Sequence, residues 1–508
     1  MQEYVKEMPE AYAVVIGGGA AGSVAAYKLA KEGKYIVLME KGLSFRSSNF
    51  SRLSGFMGCE TKFQKKKGIT IASKINLYNH LTSWAKGQIN PKLIRNLLEH
   101  SAEAADILAE MGFTFSTYAD WVESDHKEKY LNDMMWSPLH LINEYGTDRA
   151  DILEAALKEV GVEIIFGCEA KELVMENGCV TGVKAVTRQG EQMYVKTSAA
   201  LIATGGFGNN KEMIKEQFLG APLGNLGSKN NTGDGIKIAM DIGGVLSPGM
   251  GMTCNEVCGA SLKHKRYLFD AEYRMDNDNL GFAIYGGLAV DSHGERFFNE
   301  ELMATMPLAA GNYPALSVGN MYVIMDGDYY DGCCNEGIYQ YLNEPDWDFG
   351  SHMFIPVLDR AKAQFAQAEE EGWGFRADTL AEIADHFGLE NLETSVARYN
   401  DMCRKGVDTD FGKSEMFLTE LKQESGYYAF EYTGSYWCTI GGVKSDDSLH
   451  ILDRNNKAIS GAFVGGNEMG SAFGSTYYDI AATCAGLSVS SGVLAANAII
   501  SYLEQAAN

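Results

Sequence analysis

The stretch "AVVIGGGAAGSVAAYKLAKEGKYIVLMEKG", residues 13–42, decides the fold of this 508-residue chain. Residues 14–16 are apolar and uninterrupted, as in a buried strand, and a GxGxxG turn starts directly after them at residue 17. A helix-like stretch then leads to a second apolar run that ends in Glu40. A strand, a glycine turn, a helix and a strand with a terminal carboxylate together indicate a dinucleotide-binding βαβ unit.

Each glycine of the turn has its own use. Gly17 permits the tight turn, Gly19 lets a pyrophosphate approach the backbone, and Gly22 allows close packing of helix on strand. The N-terminus of the helix offers unpaired N–H groups to phosphate. Glu40 would accept hydrogen bonds from both ribose hydroxyls of the adenosine. These residues do not by themselves distinguish NAD from FAD.

Composition and charge exclude several classes of partner. A hydrophobic content of 46% and a charged content of 22% are ordinary for a soluble protein, and the length predicts two or three lobes. The formal charge of −24 disfavours nucleic acid and anionic membrane surfaces as partners. The polar, acidic start "MQEYVKEMPEAY" does not resemble a signal peptide, so we expect a cytoplasmic protein.

The cysteines and the last apolar segment bear on whether the protein holds a metal or crosses a membrane. The ten cysteines include no CxxC and no CxxCH, so we expect no metal, haem or iron–sulfur centre. Residues 480–503 carry no charge and are long enough to span a bilayer. Because this segment is rich in Ala, Ser, Gly, Thr and Asn, its composition predicts a buried helix and no membrane span.

Several further motifs follow the glycine turn in a fixed order: "ATGG" (203–206), "TGDG" (232–235), "VDSHGERFFNE" (290–300), "VARYNDMCRKGVDTDFGK" (396–413) and "TIGG" (439–442). With these motifs, nearly the whole chain resembles the flavoproteins that include soluble fumarate reductases, succinate dehydrogenase flavoprotein subunits, urocanate reductase and 3-ketosteroid dehydrogenases. The resemblance implies an α/β fold with a Rossmann-like FAD-binding domain formed by residues 1–240 and 431–508. An inserted α+β capping domain would span residues 241–430.

The resemblance also implies FAD, bound in an extended form. Some members attach FAD through a histidine after the second strand, but residues 43–59 contain none, so we expect non-covalent FAD. The last helix, expected to start near Ile480, would point N–H groups at the flavin pyrimidine. The residues expected to bind FAD are Gly17, Gly19, Ala20, Ala21, Gly22, Glu40, Lys41, Ser48, Ser51, Gly55, Thr204, Gly205, Gly206, Asp234, Gly441, Gly466, Asn467, Ile480 and Ala481.

The sequence departs from the fumarate reductases at three cationic positions. No arginine stands near Ala304 in "ELMATMPLAAG" (301–311), and Trp437-Cys438 replaces the histidine before "TIGG". The arginine of the family's "GANR" stretch is lost in "GNEMGSAFGSTYYD" (466–479). Burying a dicarboxylate without paired cations costs several kcal/mol per charge, so we expect neither fumarate nor succinate as substrate.

Aromatic residues take the place of these cations, and the candidate catalytic residues are Tyr436, Trp437, Tyr477 and Tyr478. The stretch ending in Tyr477 resembles 3-ketosteroid dehydrogenases, in which the matching tyrosine and a backbone N–H, here that of Ala481, hydrogen-bond the ketone oxygen. Core packing is the alternative role of Tyr477 and Tyr478. Further candidates in the predicted cap are Tyr267, Tyr273, Tyr285, Tyr313, Arg266 and Arg274.

These residues predict an FAD-dependent oxidoreductase acting on CH–CH bonds. Hydride would move between flavin N5 and a carbon–carbon bond conjugated to a carbonyl, as in an enone, a ketosteroid-like compound or an aryl-acrylate. A separate donor, such as reduced nicotinamide, free flavin or a redox protein, would supply electrons to turn over this small-molecule substrate. Two alternatives stay open: a redox-neutral flavin-dependent isomerase or hydratase, and a non-catalytic flavin-binding subunit of a redox complex.

Overall fold

The computed structural model describes residues 6–121, 127–144, 146–217, 223–225, 227–252, 256–259, 287–302, 318–336, 358–474 and 477–507. Six candidates from the predicted cap, and the position of the missing arginine, lie outside the described residues: Tyr267, Tyr273, Tyr285, Tyr313, Arg266, Arg274 and Ala304.

Strands and helices occur along the whole of the described chain. The strands are β1 Lys6–Glu7, β2 Ala13–Ile16, β3 Ile36–Glu40, β4 Gly55–Met57, β5 Phe115–Ser116, β6 Leu139–Ile142, β7 Glu163–Phe166, β8 Cys168–Glu176, β9 Cys179–Thr187, β10 Gln192–Lys196, β11 Ala200–Ile202, β12 Leu223–Asn225, β13 Gly251–Met252, β14 Glu256–Gly259, β15 Leu288–Val290, β16 Asn320–Asp326, β17 Gly374–Ala377, β18 Tyr427–Tyr436, β19 Thr439–Ile440, β20 His450–Leu452 and β21 Ala458–Val464. The helices are α1 Ala20–Lys31, α2 Lys62–Lys67, α3 Lys74–Trp84, α4 Pro91–Glu99, α5 Ser101–Glu110, α6 Tyr118–Trp121, α7 Lys127–Leu131, α8 Gly146–Glu159, α9 Lys211–Gln217, α10 Asp234–Asp241, α11 Gly327–Glu336, α12 Leu358–Glu371, α13 Leu380–Phe387, α14 Leu392–Lys405 and α15 Thr483–Ala507.

The larger sheet of the described chain is parallel at its centre. Its strands β21, β11, β2, β3 and β7 lie side by side in that order and run in one direction. Both β2 and β3 are buried along their whole length, which explains why they read as continuous apolar runs. The carboxyl ends of these strands meet at one edge, which is where open α/β sheets bind ligands.

Helix α1 packs between this sheet and α15. A Cβ at Gly22 would lie 2.0 Å from the carbonyl oxygen of Gly17, and one at Gly492 would lie 2.5 Å from that of Ala21. Among the described residues, α15 alone is long and apolar enough to cross a membrane, but 83% of its apolar window is buried inside the protein. The composition therefore correctly predicted a buried helix at this place.

The start of α15 was predicted three residues too early. We expected the helix to begin near Ile480, but it begins at Thr483. Ala482 has a φ of +56°, in the left-handed region, which is incompatible with a continuous right-handed helix from Ile480.

A second, mostly antiparallel sheet contains β12, β14, β15, β16, β17 and β18. Two of the motifs meet beside it through a buried ion-pair cluster. Arg296 donates to Glu300 at 2.7 Å and to Asp408 at 3.0 Å, and all three side chains are at most 5% exposed. The domain boundaries at residues 240 and 430 remain a prediction, and this sheet extends past both of them because it includes β12 and the end of β18.

Candidate active site

A cavity of about 280 Å³ lies at the carboxyl ends of β2, β3, β11 and β21. Segments from both ends of the chain form its wall. The predicted residues that line it are Gly17, Gly19, Ala20, Ala21, Glu40, Lys41, Ser48, Gly55, Thr204, Gly205, Asp234, Trp437, Gly466, Asn467, Tyr477 and Ala481. Those not found in the lining are Gly22, Ser51, Gly206, Tyr436, Gly441, Tyr478 and Ile480.

The glycine turn leaves the N-terminus of α1 open to this cavity. Gly17 has a φ of +104°, and a Cβ there would lie 2.3 Å from the carbonyl oxygen of Ala203, so the turn itself requires glycine. A Cβ at Gly19 would come only to 4.0 Å of that oxygen, so packing does not require glycine there. The space in front of Gly19 instead gives access to the first N–H groups of α1, which have no acceptor within the helix. A pyrophosphate group fits this arrangement.

Glu40 lies behind the turn and holds two backbone segments. Its Oε2 accepts a hydrogen bond from the Gly18 N–H at 2.8 Å, and its Oε1 accepts one from the Gly42 N–H at 2.6 Å. Burial raises the pKa of Glu40, and the two backbone N–H donors oppose that rise. Each carboxylate oxygen keeps a second acceptor site, so the residue fits the predicted ribose contact.

Lys41 and Asp234 are tied to each other across the cavity. The Lys41 ammonium donates to Asp234 Oδ2 at 2.8 Å and to Thr232 Oγ1 at 2.7 Å. This pair joins the end of β3 to the "TGDG" motif at the start of α10. The charge of Lys41 is therefore partly neutralised by the protein itself.

Glu468 is a buried carboxylate that the sequence analysis did not single out. It is fully buried, and it accepts hydrogen bonds from the N–H of Thr204 at 2.7 Å and from its hydroxyl at 2.5 Å. Burial raises the pKa of Glu468. This carboxylate joins the "ATGG" turn to the last part of the chain. Its position directly after Gly466-Asn467 was the available sequence signal.

Several predicted residues support the wall from behind, because their polar groups are bonded elsewhere. Tyr478 donates its hydroxyl to the carbonyl of Ala472 at 3.0 Å, and Tyr436 donates its hydroxyl to that of Gly208 at 2.6 Å. The core-packing alternative describes Tyr478 better than a catalytic role does.

The other predicted residues outside the lining also have structural roles. The Ser51 hydroxyl donates to backbone carbonyls of its own turn. Ile480 is fully buried, Gly22 packs on the turn, and Gly206 and Gly441 have φ values near +88° that glycine accommodates.

The expected role of Ala481 as a hydrogen-bond donor to substrate is wrong for this structure. Its N–H donates to the carbonyl of Met135 at 2.9 Å. The free N–H groups of α15 belong to residues after Thr483, because the helix begins there. No sequence motif marks the 133–142 segment that supplies this acceptor.

Tyr477 is the predicted catalytic residue whose hydroxyl remains available as a donor. It lines the cavity, and its hydroxyl oxygen accepts the Cys484 N–H at 3.2 Å from the start of α15. Burial raises the pKa of Tyr477 well above its ordinary value, so the phenol stays protonated at neutral pH. Trp84 fixes the backbone of Tyr477 by donating its indole N–H to the carbonyl at 3.0 Å. The tyrosine can therefore donate its own proton to an oxygen bound in the cavity.

Other wall residues were missed by the sequence analysis. Arg52 lines the cavity, donates to the carbonyls of Ser47 and Ser48, and has its pKa lowered to about 10 by burial. An arginine in the turn of Ser48 was the signal, but arginines in polar turns are usually solvated. Further missed residues of the wall come from segments without motifs or from the apolar start of α15, among them Trp136, Leu139, Glu169, Asn231, Cys484 and Ser488.

Residues 13–479 match the protein family described as the FAD binding domain, and the chain belongs to this family. A vinyl phenol reductase of Lactiplantibacillus plantarum is 26% identical over 495 residues, covering 94% of each chain. A cytochrome-type fumarate reductase of Shewanella frigidimarina is 23% identical over 470 residues, which is 91% of this chain and 72% of that one. The solved 3-ketosteroid delta1-dehydrogenase of Sterolibacterium denitrificans has a TM-score of 0.72 at 18% identity, covering 97% of this chain and all of that one.

These comparisons confirm the predicted family, the α/β flavoprotein fold with a capping domain, and FAD as the cofactor. The protein is an FAD-dependent oxidoreductase. The individual site residues and the domain boundaries remain predictions.

Proposed function

We propose that this flavoprotein reduces a carbon–carbon double bond conjugated to a carbonyl group, in an uncharged or singly charged substrate such as an enone, a ketosteroid-like compound or an aryl-acrylate. Bound FAD supplies the hydride for this reaction at its N5 position. The observation that carries the proposal is Tyr477, which lines the cavity and whose hydroxyl accepts the Cys484 N–H and donates to no acceptor among the described residues. The name of the vinyl phenol reductase supports reduction of a conjugated carbon–carbon double bond, and that of the 3-ketosteroid dehydrogenase supports a substrate that carries a ketone.

The Tyr477 hydroxyl would polarise the carbonyl of the substrate. A hydrogen bond to the carbonyl oxygen stabilises the negative charge that develops there while the hydride reaches the far carbon of the double bond. The Cys484 N–H, at the positive end of α15, stabilises electron density on the tyrosine oxygen in turn. One such donor is commonly worth about 100- to 1000-fold in rate.

The charges of the cavity disfavour a dicarboxylate. Among the described residues that line it, the cations are Lys41 and Arg52, and there is no histidine. Lys41 donates a hydrogen bond to Asp234, and Arg52 donates to the backbone carbonyls of Ser47 and Ser48. A second substrate carboxylate would have to be buried without a cation from this part of the wall, at several kcal/mol.

Apolar side chains would position the rest of the substrate. Trp437, Trp136 and Leu139 line the same cavity and can pack against a ring while excluding water from the reacting bond.

An anaerobic assay with a reduced viologen as electron donor would test this proposal. We expect enones and aryl-acrylates to be reduced and fumarate to be turned over at least about 100-fold more slowly, as burial of an unpaired second carboxylate would require. Rapid fumarate reduction, or a failure of every conjugated alkene, would overturn it. Product formed without consumption of viologen would instead support the redox-neutral isomerase or hydratase.

A further inference from the structure

We infer that Cys438 and Cys484 form a redox-active pair, which closes to a disulfide by passing two electrons to the bound FAD. The two sulfur atoms lie 3.8 Å apart, although the residues stand 46 positions apart in sequence. Cys438 lies between β18 and β19, and Cys484 is the second residue of α15. Both line the FAD cavity. The inference rests on FAD binding and not on the proposed alkene substrate.

Two other buried cysteines, Cys168 and Cys59, have partners of a different kind. Cys168, which also lines the cavity, approaches the sulfur of Met193 at 3.9 Å, and Cys59 donates to the carbonyl of Leu98. The Cys484 thiol is also 2.9 Å from the side-chain oxygen of Asn467, another cavity residue. The pair is thus oriented within the wall by residues that face the cofactor.

The chemistry balances within the holoenzyme. The two thiols lose two protons and two electrons, and a sulfur–sulfur bond forms at about 2.05 Å. Bound FAD would accept the two electrons together with protons, and the reverse transfer would reopen the disulfide. The sulfurs start near van der Waals contact, so small side-chain movements suffice for closure.

Closure would be slow at neutral pH. Hydrogen bonding to Cys438 and burial raise the pKa of Cys484, so its thiol stays protonated and unreactive. The described titratable groups that act on it are Cys438 and, from the preceding turn, Tyr477. The rate of closure should therefore rise about tenfold for each pH unit that the pH increases, up to the pKa of the thiol.

Formation of the disulfide would also affect the part of the cavity wall that contains Trp437 and Tyr477. Cys438 follows Trp437 in the chain, and the backbone N–H of Cys484 binds the hydroxyl of Tyr477. A disulfide would therefore link the segment carrying the tryptophan to the helix start that supports the tyrosine.

Thiol counting on the holoenzyme would test the pair. The oxidised, FAD-loaded protein is kept without oxygen or substrate, quenched in acid, alkylated under denaturing conditions and analysed by peptide mass spectrometry. We expect a Cys438–Cys484 peptide, two fewer alkylated thiols and an equal loss of the visible absorbance of oxidised flavin, faster at pH about 9 than at about 7. This readout requires no alkene, so it is independent of the proposed function.

The controls separate the pair from general oxidation. Cys438→Ser and Cys484→Ser should each abolish both the peptide and the flavin bleaching, whereas Cys403→Ser, in α14, should leave them unchanged. Two fully alkylated cysteines in the wild-type holoenzyme at high pH would overturn the inference, even if a serine variant failed to fold. Equal disulfide yield in FAD-free protein without oxygen would overturn it as well.

Discussion

The two ends of the cavity are built from different parts of the polypeptide. At the phosphate end, the backbone supplies the contacts: glycines open the start of α1, and Glu40 accepts from the N–H groups of Gly18 and Gly42. At the substrate end, side chains such as Tyr477 and Trp437 form the wall, and they depend on where α15 begins. The backbone contacts at the phosphate end need glycine at a few positions, so few substitutions are tolerated there. The side chains at the substrate end can be exchanged, so members of one family can differ in substrate.

The largest expected effect comes from filling the space at the phosphate end. Gly19→Val should leave the fold intact, because a Cβ there meets no close neighbour among the described residues, but its methyl groups would occupy the pyrophosphate position. We expect FAD affinity to fall about a thousandfold, or about 4 kcal/mol, measured by flavin fluorescence titration of the apoprotein.

A matched control lies at the other end of the same helix. Gly33 has a φ of +76° with open space around it, so Gly33→Asn should bind FAD as the wild type does. An unchanged FAD affinity in Gly19→Val would show that the pyrophosphate does not lie at this turn.

At the substrate end, Tyr477→Phe should lower kcat/KM about 100-fold or more, or about 3 kcal/mol, because it removes the proton donor. The visible spectrum of bound FAD should be retained, since the hydroxyl acts on the substrate. Steady-state kinetics with an enone and reduced viologen would measure the change.

Tyr478→Phe is the control. The Tyr478 hydroxyl donates to the Ala472 carbonyl, so the main effect of its removal should be a loss of about 1 kcal/mol of stability. Equal kinetic losses in the two variants would contradict the role of Tyr477.

A buried histidine next to the wall should make stability pH-dependent. Burial lowers the pKa of His140 from 6.5 to about 4, and the strand residues on either side of it, Leu139 and Leu141, line the cavity. The unfolded state binds the proton first, so this contribution is complete above pH 6.5 and is lost as the pH falls towards 4. The expected loss is about 2–3 kcal/mol, measured by urea unfolding across this range. In His140→Gln the free energy of unfolding should fall less steeply with decreasing pH. An identical pH dependence in the variant would rule out the histidine as its source.

The smallest expected effect concerns the strained residue before α15. Ala482 has a φ of +56°, which costs a non-glycine residue about 1 kcal/mol. Ala482→Gly should therefore raise the free energy of unfolding by up to about 1 kcal/mol, measured by urea titration, without loss of bound FAD. A clear decrease in stability would show that the alanine side chain contributes more than its backbone strain costs.

The difference between the phosphate end and the substrate end also decides which residues of the site could be predicted from the sequence. The buried strands, the GxGxxG turn and the terminal Glu40 are adjacent in sequence, so their spacing already describes their geometry. Glu468 and Arg52 were missed because a charged residue in a glycine-rich or polar turn is ordinarily solvated. Only the fold buries Glu468 and places Arg52 in the cavity wall.

The donor role of Ala481 failed for a similar reason. Its N–H is bonded to Met135, nearly 350 positions away, and the left-handed Ala482 delays the helix. The proximity of Cys438 and Cys484 is likewise a property of the fold, because each sulfur comes from a different element.

Single-turnover reoxidation of the reduced holoenzyme tests the central claim most directly. FAD is reduced without oxygen, the protein is mixed with one alkene in a stopped-flow instrument, and the return of oxidised flavin is followed in wild type and in Tyr477→Phe. We expect a conjugated enone to reoxidise the wild-type flavin about 100-fold faster than it reoxidises the variant, and fumarate to react slowly with both. Fast reoxidation by fumarate, or equal enone rates in the two proteins, would contradict the account of a cavity whose tyrosine activates a carbonyl.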